Sequence, residues 1–409
     1  MNKKVILSSF VGNALEFFDF TLCGVFIMTL SSLFFPTSDP KLSVITGMFA
    51  FSAAFYSRPF GALLFGYLGD KYGRRKILST TIFLMSLPTF IIGILPTYDQ
   101  IGLFAPIILI ICRLLQGLCA GGEYNGAAIF ALEHAQDKKP GFISGIISCS
   151  SVVGILAATI LGNLFLYDDA PTWFWRIPFI CGAVLGVVGC FLRRYTFETS
   201  EFLEFKKINL STAKEETSYR NYISPFIVSI ATGALNGALS YSLFGFFNIY
   251  MAKFVGFHAL KGLWCNLTGL LSFALFCVIF GILSDYFGKH KLIRSAFLLS
   301  FILALPTFFL LNQPYVISVL LGQVLFGLIC GSFVGPTHHF LHSLFPVKIR
   351  YKGVALFCIG ITLTGGTTAI FLTYLIIKTQ NLYAPAFLLM TYALLFKTSL
   401  WLLPQEKQP

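Results

Sequence analysis

Charged side chains are scarce in this sequence. Asp, Glu, Lys and Arg make up 11% of its 409 residues, where soluble domains carry about 25%. That scarcity excludes an ordinary soluble globular domain. Cysteines are present, but not in pairs. The ten Cys show no C-x-x-C spacing, so neither a zinc site nor a dithiol centre is indicated, and they read as small packing residues. Also missing are a nucleophile–base pair, a phosphate-cradling glycine loop and any metal-ligand spacing, so no enzyme, cofactor or metal is expected. The first apolar run begins directly after Lys3 and Lys4 and is too long for the h-region of a signal peptide, so no cleaved leader is expected.

Apolar residues fill the space that charge leaves. They account for 56% of the chain, and the mean hydropathy is +0.80. A bilayer-spanning helix needs roughly 20 mostly apolar residues. By that measure twelve runs qualify: 6–31, 44–69, 77–96, 103–132, 142–166, 177–192, 224–251, 262–284, 293–311, 315–344, 353–376 and 382–403. Their length and their glycines favour α-helices over β-barrel strands, which would alternate over roughly ten residues. The expected fold class is therefore an all-α integral membrane protein. Lys and Arg fall about 21 to one side of these spans and about five to the other, which predicts cytoplasmic termini. The net charge of +12 then reflects topology and attraction to anionic lipid, not a nucleic-acid partner.

Against that background a few charges stand out. Arg58, Arg113, Glu16, Asp19 and Glu123 lie inside spans. Each would cost about 2.5–3.5 kcal/mol facing lipid, so such groups face a bundle interior or an aqueous cavity and mark function. The one long polar segment, 193–222, mixes six basic residues with five glutamates and reads as a solvated cytoplasmic linker with some interfacial helix. It divides the chain into an N-terminal six-helix half, 1–192, and a C-terminal six-helix half, 223–409.

Each half carries a charged turn after its second span. "GYLGDKYGRRK" at 66–76 and "GILSDYFGKHK" at 281–291 stand 215 positions apart, an internal repeat. Gly73 supplies the freedom at positive φ that so tight a turn needs. Asp70 can accept backbone N–H bonds at a helix end. Arg74, Arg75 and Lys76 can hold carboxylates or headgroups.

These turns resemble the G-x-L-x-D-x-x-G-R-R-K signature of major facilitator transporters and its weaker second-half copy. "GNALEFFDF" at 12–20, "RPFGALLFGYLGD" at 58–70, "RLLQGLCAGGEYNGAA" at 113–128, "WRIPF" at 175–179, "LFPVKIRYKG" at 344–353 and "GGTTAIFLTYL" at 365–375 narrow the resemblance to the metabolite:proton symporter branch. That branch includes proline/betaine, α-ketoglutarate, citrate and shikimate carriers. The resemblance implies two six-helix halves around a central cavity, with substrate bound near the midplane. It also implies a bacterial inner-membrane location and a monomer whose partners are a small-molecule substrate, protons and the bilayer. Gly66, Asp70, Gly73, Arg74 and Arg75, with Gly281, Asp285 and Gly288, would form a conformational latch on the cytoplasmic side. The change at Asp285 is expected to be milder than at Asp70, because His290 replaces an arginine. The sequence departs from the branch at Phe17–Phe18, where a Trp-containing pair is common, and at Ser343, where glutamate is common. Its tenth span instead carries His338, His339 and His342.

Helix geometry limits how the in-span charges cooperate. Glu16 and Asp19 share a face. Arg113 and Glu123 fall on one arc of the fourth span but stand about 15 Å apart along it. Each needs a partner from another helix, and the first span is the natural supplier. The resemblance implies a direct Asp19–Arg113 pair, and Asp19, Glu16 and Glu123 compete as proton carrier. Arg58, Arg113, Glu123, Tyr124, His338 and His339 are the candidate substrate contacts. The glycines of "GLCAGG" permit close helix approach. The expected function is proton-coupled uptake of a small carboxylate or zwitterion. The alternatives are a facilitator-fold sensor without net transport and a proton-coupled efflux pump.

Overall fold

The computed structural model describes residues 3–37, 40–135, 139–165, 171–211, 219–257 and 259–403. Sixteen α-helices make up the described chain: α1 Lys3–Val25, α2 Ile27–Phe34, α3 Pro40–Tyr72, α4 Arg74–Ile94, α5 Tyr98–Ile101, α6 Phe104–Glu133, α7 Pro140–Leu164, α8 Arg176–Arg194, α9 Ser200–Ser211, α10 Ile223–Tyr241, α11 Phe247–Lys253, α12 Ala259–Phe287, α13 Lys289–Leu311, α14 Val316–Leu344, α15 Arg350–Thr379 and α16 Ala384–Leu400. A lipid-facing backbone must satisfy its own polar groups, and helices do so within one segment.

Among the described residues, ten helical spans are long and apolar enough to cross a membrane. Two further helices complete a set consistent with twelve spans. One is α3, 33 residues long with Pro59 inside it. The other is α16, apolar but of 17 residues. The first predicted run divides at Phe26 into α1 and α2, and the seventh is α10 and α11 joined through a π-helical turn at Ser242–Phe246.

The contacts group into two compact units, residues 2–134 with 150–204 and residues 135–149 with 205–409. In the first, α3 packs on α6, α4 on α8, and α1 on α8 and α6. Bilayer lipid is as apolar as leucine, so close packing holds these helices together rather than expulsion from water. Gly117 and Gly121 of α6 lie against the backbone carbonyls of Ala54 and Arg58 on α3, where a Cβ would clash. A buried aliphatic and aromatic cluster, including Phe18, Leu22, Phe26, Leu109 and Phe179, fills the space beside these contacts. Arg176 of "WRIPF" donates to the carbonyls of Gly93 (3.1 Å) and Leu95 (2.7 Å), satisfying acceptors left open at the end of α4.

In the second unit, α10 packs on α15, α12 on α14, and α13 on α14 and α16. The start of α7 belongs here: Ser144 donates to the Gly335 carbonyl at 2.6 Å, and Ser148 to Val334 at 3.2 Å. Gly281 of α12 meets Gly141 and Gly145 of α7 with no room for a side chain.

Candidate functional site

The five in-span charges all lie in the first unit, and all are buried. Arg58 of α3 reaches Glu16 of α1, Nη2 to Oε1 at 3.1 Å. Its guanidinium lies 4.4 Å from the centre of the Phe20 ring and 5.6 Å from that of Phe55. Aromatic faces attract cations, and more strongly once water is excluded.

Asp19 and Arg113 do not meet as the resemblance implies. Arg113 sits over the rings of Phe51 (4.9 Å) and Phe20 (5.1 Å) and donates to the Phe51 carbonyl at 3.1 Å. Held there, the guanidinium makes no ion pair among the described residues. Two neutral side chains fill the gap. Arg113 Nη1 donates to Gln116 Oε1 (3.0 Å), Gln116 Nε2 to Thr89 Oγ1 (2.9 Å), and Thr89 Oγ1 lies 2.7 Å from Asp19 Oδ2. The other carboxylate oxygen of Asp19, Oδ1, is buried without a hydrogen-bond partner among the described residues.

Glu123 also finds a partner other than the one expected. Arg193, at the end of α8, clamps it, with Nη1 2.9 Å from Oε2 and Nη2 on Oε1. Thr81 donates to Oε2 at 2.8 Å. The supplier is α8 rather than the first span, because Arg193 is fully buried at the head of a segment expected to be solvated. Thr196, Thr199 and Phe202 in the same segment are buried as well.

The charged turns have a defined geometry. Gly73 (φ 108°) and Gly288 (φ 88°) reverse the chain at matching places, just before α4 and α13. Arg74, fully buried, lies between Asp70 (3.2 Å) and Glu133 (3.3 Å). Glu133 also accepts from Thr199 at 2.7 Å. The start of α4 is capped by Glu198, which accepts from the Arg74 and Arg75 backbone N–H groups at 3.1 Å. Arg75 reaches the Arg194 carbonyl. Gly66 is buried within α3. In the second copy Asp285 reaches out of its turn to the start of α7, accepting from the N–H of Gly141 (2.6 Å) and Phe142 (2.9 Å). A carboxylate there satisfies two open donors and faces the positive end of the helix dipole.

A family model described as Major Facilitator Superfamily matches residues 10–357, most of the chain. The chain belongs to this superfamily. Its relatives include the "Proline/betaine transporter" of Escherichia coli (strain K12), 33% identical over 96% of this chain and 81% of that protein. The "Glycine betaine/proline/ectoine/pipecolic acid transporter OusA" of Dickeya dadantii (strain 3937) is also 33% identical, with the same coverage. Among solved structures, the proton:xylose symporter XylE bound to 6-bromo-6-deoxy-D-glucose aligns with TM-score 0.79, covering 97% of this chain and 94% of that one, at 15% identity. The human organic anion transporter MFSD10 (TETRAN) aligns with TM-score 0.71 at 14% identity, covering 98% and 99%. These two show a shared fold. This facilitator is accordingly a multi-pass membrane transporter.

The other expected contacts are placed as follows. Tyr124, buried on α6, stands edge-on to Phe17 with ring centres 5.7 Å apart. His338, His339 and His342 of this facilitator belong to the second unit, on α14. His338 is buried against Phe357, and His339 Nδ1 lies 3.2 Å from Ser284 Oγ. Sequence reasoning missed Thr81, Thr89 and Arg193 and left Gln116 without a role. A signal for the threonines existed: Thr81, Met85 and Thr89 recur every fourth residue and so share one face of α4. Arg193 ends an apolar run, and the sequence groups it with the cytoplasmic cations that follow.

Proposed function

We propose that this facilitator couples proton entry to uptake of a small carboxylate or zwitterion. One observation carries the reading: among the described residues Arg113 makes no ion pair with a carboxylate, and its hydrogen bonds lead to Asp19 through Gln116 and Thr89. Glu16 is paired with Arg58, and Glu123 with Arg193. Asp19 is thus the only counter-charge left for Arg113 within this cluster. A proton on Asp19 removes that counter-charge and leaves a buried guanidinium, which strongly favours an arriving carboxylate. Proton and carboxylate then bind together, and the loaded, neutralised site is what crosses between the two faces of the membrane. Glu16, paired through Oε1 with Arg58 and with Oε2 unpartnered among the described residues, offers an acceptor for a substrate cation.

The relatives' substrates, proline and betaine, carry the carboxylate and cation this site would take. On this reading the turns at 66–76 and 281–291 gate the cytoplasmic side of a bacterial plasma membrane, with both termini inside. The test is uptake into proteoliposomes holding the purified protein, with and without an inward proton gradient. The panel comprises labelled proline, betaine, citrate and α-ketoglutarate. Accumulation of one of these only with the gradient supports the reading. Equal uptake with and without the gradient rejects proton coupling, and gradient-driven extrusion makes the protein an efflux pump.

A further inference from the structure

The hydroxyl of Thr89 has one proton, two lone pairs and three neighbours: Asp19 Oδ2 at 2.7 Å, Gln116 Nε2 at 2.9 Å and the Met85 carbonyl at 3.0 Å. Arg113 fixes how these can be satisfied. A guanidinium only donates, so the Gln116 carbonyl must face Arg113 and its amide NH2 must face Thr89. One Thr89 lone pair is therefore always taken. Its proton has two acceptors to choose between, Asp19 Oδ2 and the Met85 carbonyl.

The protonation state of Asp19 decides the choice. When Asp19 is ionised it cannot donate, and it draws the Thr89 proton. The chain from Arg113 through Gln116 and Thr89 then runs in one direction and ends on a negative charge. When Asp19 carries a proton on Oδ2, that proton is donated to the free Thr89 lone pair, and the Thr89 proton turns to Met85. Asp19 Oδ2, the Thr89 hydroxyl and the Gln116 amide each keep a partner in both states, and no heavy atom has to move. Protonation at Oδ1 would leave the new O–H without an acceptor, since that oxygen has no partner and lies close to Gly182.

We propose that Thr89 is the positioning residue through which the protonation of Asp19 reaches Arg113. This rests on the reading of Asp19 as proton carrier. The titratable groups beside the chain are Arg113 on α6 and Cys23 on the same helix as Asp19, with the Glu16–Arg58 pair one turn away. Among the described contacts the chain meets Thr89 and the Met85 carbonyl of α4 and Gly182 of α8, none of them titratable. No other side chain offers a second route from Asp19 to Gln116 among the described contacts.

The test needs no substrate. Infrared difference spectra of the purified protein, titrated with acid, should show one protonated-carboxyl C=O band that Asp19→Asn removes. In Thr89→Val that band should move to higher wavenumber, because the acid has lost its acceptor. Its titration midpoint should rise by roughly one pH unit, since the hydrogen bond to the ionised form is the stronger of the two lost. Thr89→Ser should restore both values, and Thr89→Ala should agree with Thr89→Val. If Asp19→Asn removes a band that Thr89→Val and Thr89→Ala leave in place with the same midpoint, Thr89 does not position the proton, although Asp19 still carries it. If Asp19→Asn removes no band, the reading of Asp19 fails, and the role of Thr89 fails with it.

Discussion

Removing Arg193 should be among the most damaging single changes in the first unit. Arg193 and Glu123 are both buried, and Arg193 Nη1 also holds the Leu78 carbonyl at 3.0 Å. Arg193→Ala strands the Glu123 carboxylate with Thr81 as its only remaining hydrogen-bond donor among the described contacts. Breaking one side of a buried pair costs about 3–5 kcal/mol. For a unit of this size each kcal/mol shifts the melting temperature by about 2–4 °C, so a fall of roughly 10 °C is expected. The ten free cysteines, eight of them buried, suit a thiol-reactive dye that fluoresces as they become exposed in detergent. The double variant Arg193→Met with Glu123→Gln should recover most of the loss, because replacing both partners by groups of similar size is often nearly neutral. A melting temperature for Arg193→Ala within about 2 °C of the parent would refute the claim that Glu123 depends on Arg193.

Further outcomes follow from the same contacts. Asp70→Asn should slow uptake several-fold while leaving equilibrium substrate binding within a few fold, because Arg74 keeps Glu133; unchanged initial rates would count against a gating role. Asp285→Asn should be at least as harmful as Asp70→Asn, reversing the expectation from sequence, because it uncaps α7 at a cost of about 0.5–2 kcal/mol; parallel uptake assays decide the order. Gly121→Val should prevent insertion of folded protein, since the Arg58 carbonyl occupies the space a side chain needs; a normal size-exclusion profile in detergent would contradict that packing.

The large features of this molecule were legible because each rests on a local property of the chain. Apolar run length marks a span, and a lone Arg113 or Asp19 inside one marks the site. The glycines of α6 announce a close neighbour without naming α3. Partnerships were harder to read, since they depend on which helices adjoin. Asp19 and Arg113 invite a direct pair, but Phe20 and Phe51 hold the guanidinium elsewhere, a matter of side-chain packing that no spacing encodes. Glu123 was matched to the first span because Arg193 lies where apolar sequence gives way to charge, and burial alone separates it from Arg194. The two charged turns are alike in sequence, yet Asp70 serves its own turn while Asp285 caps a helix from the other half of the sequence.

The central claim is that Asp19 carries the coupling proton, and a paired measurement on one reconstituted variant tests it most directly. Asp19→Asn is examined for accumulation of labelled proline or betaine, whichever the parent takes up, under an imposed pH gradient, and for counterflow of the same compound without one. Asn mimics the protonated acid, so accumulation should vanish while counterflow persists. Concentrative, gradient-driven uptake by Asp19→Asn would contradict the account and move the proton to Glu16, Glu123 or the histidines of α14.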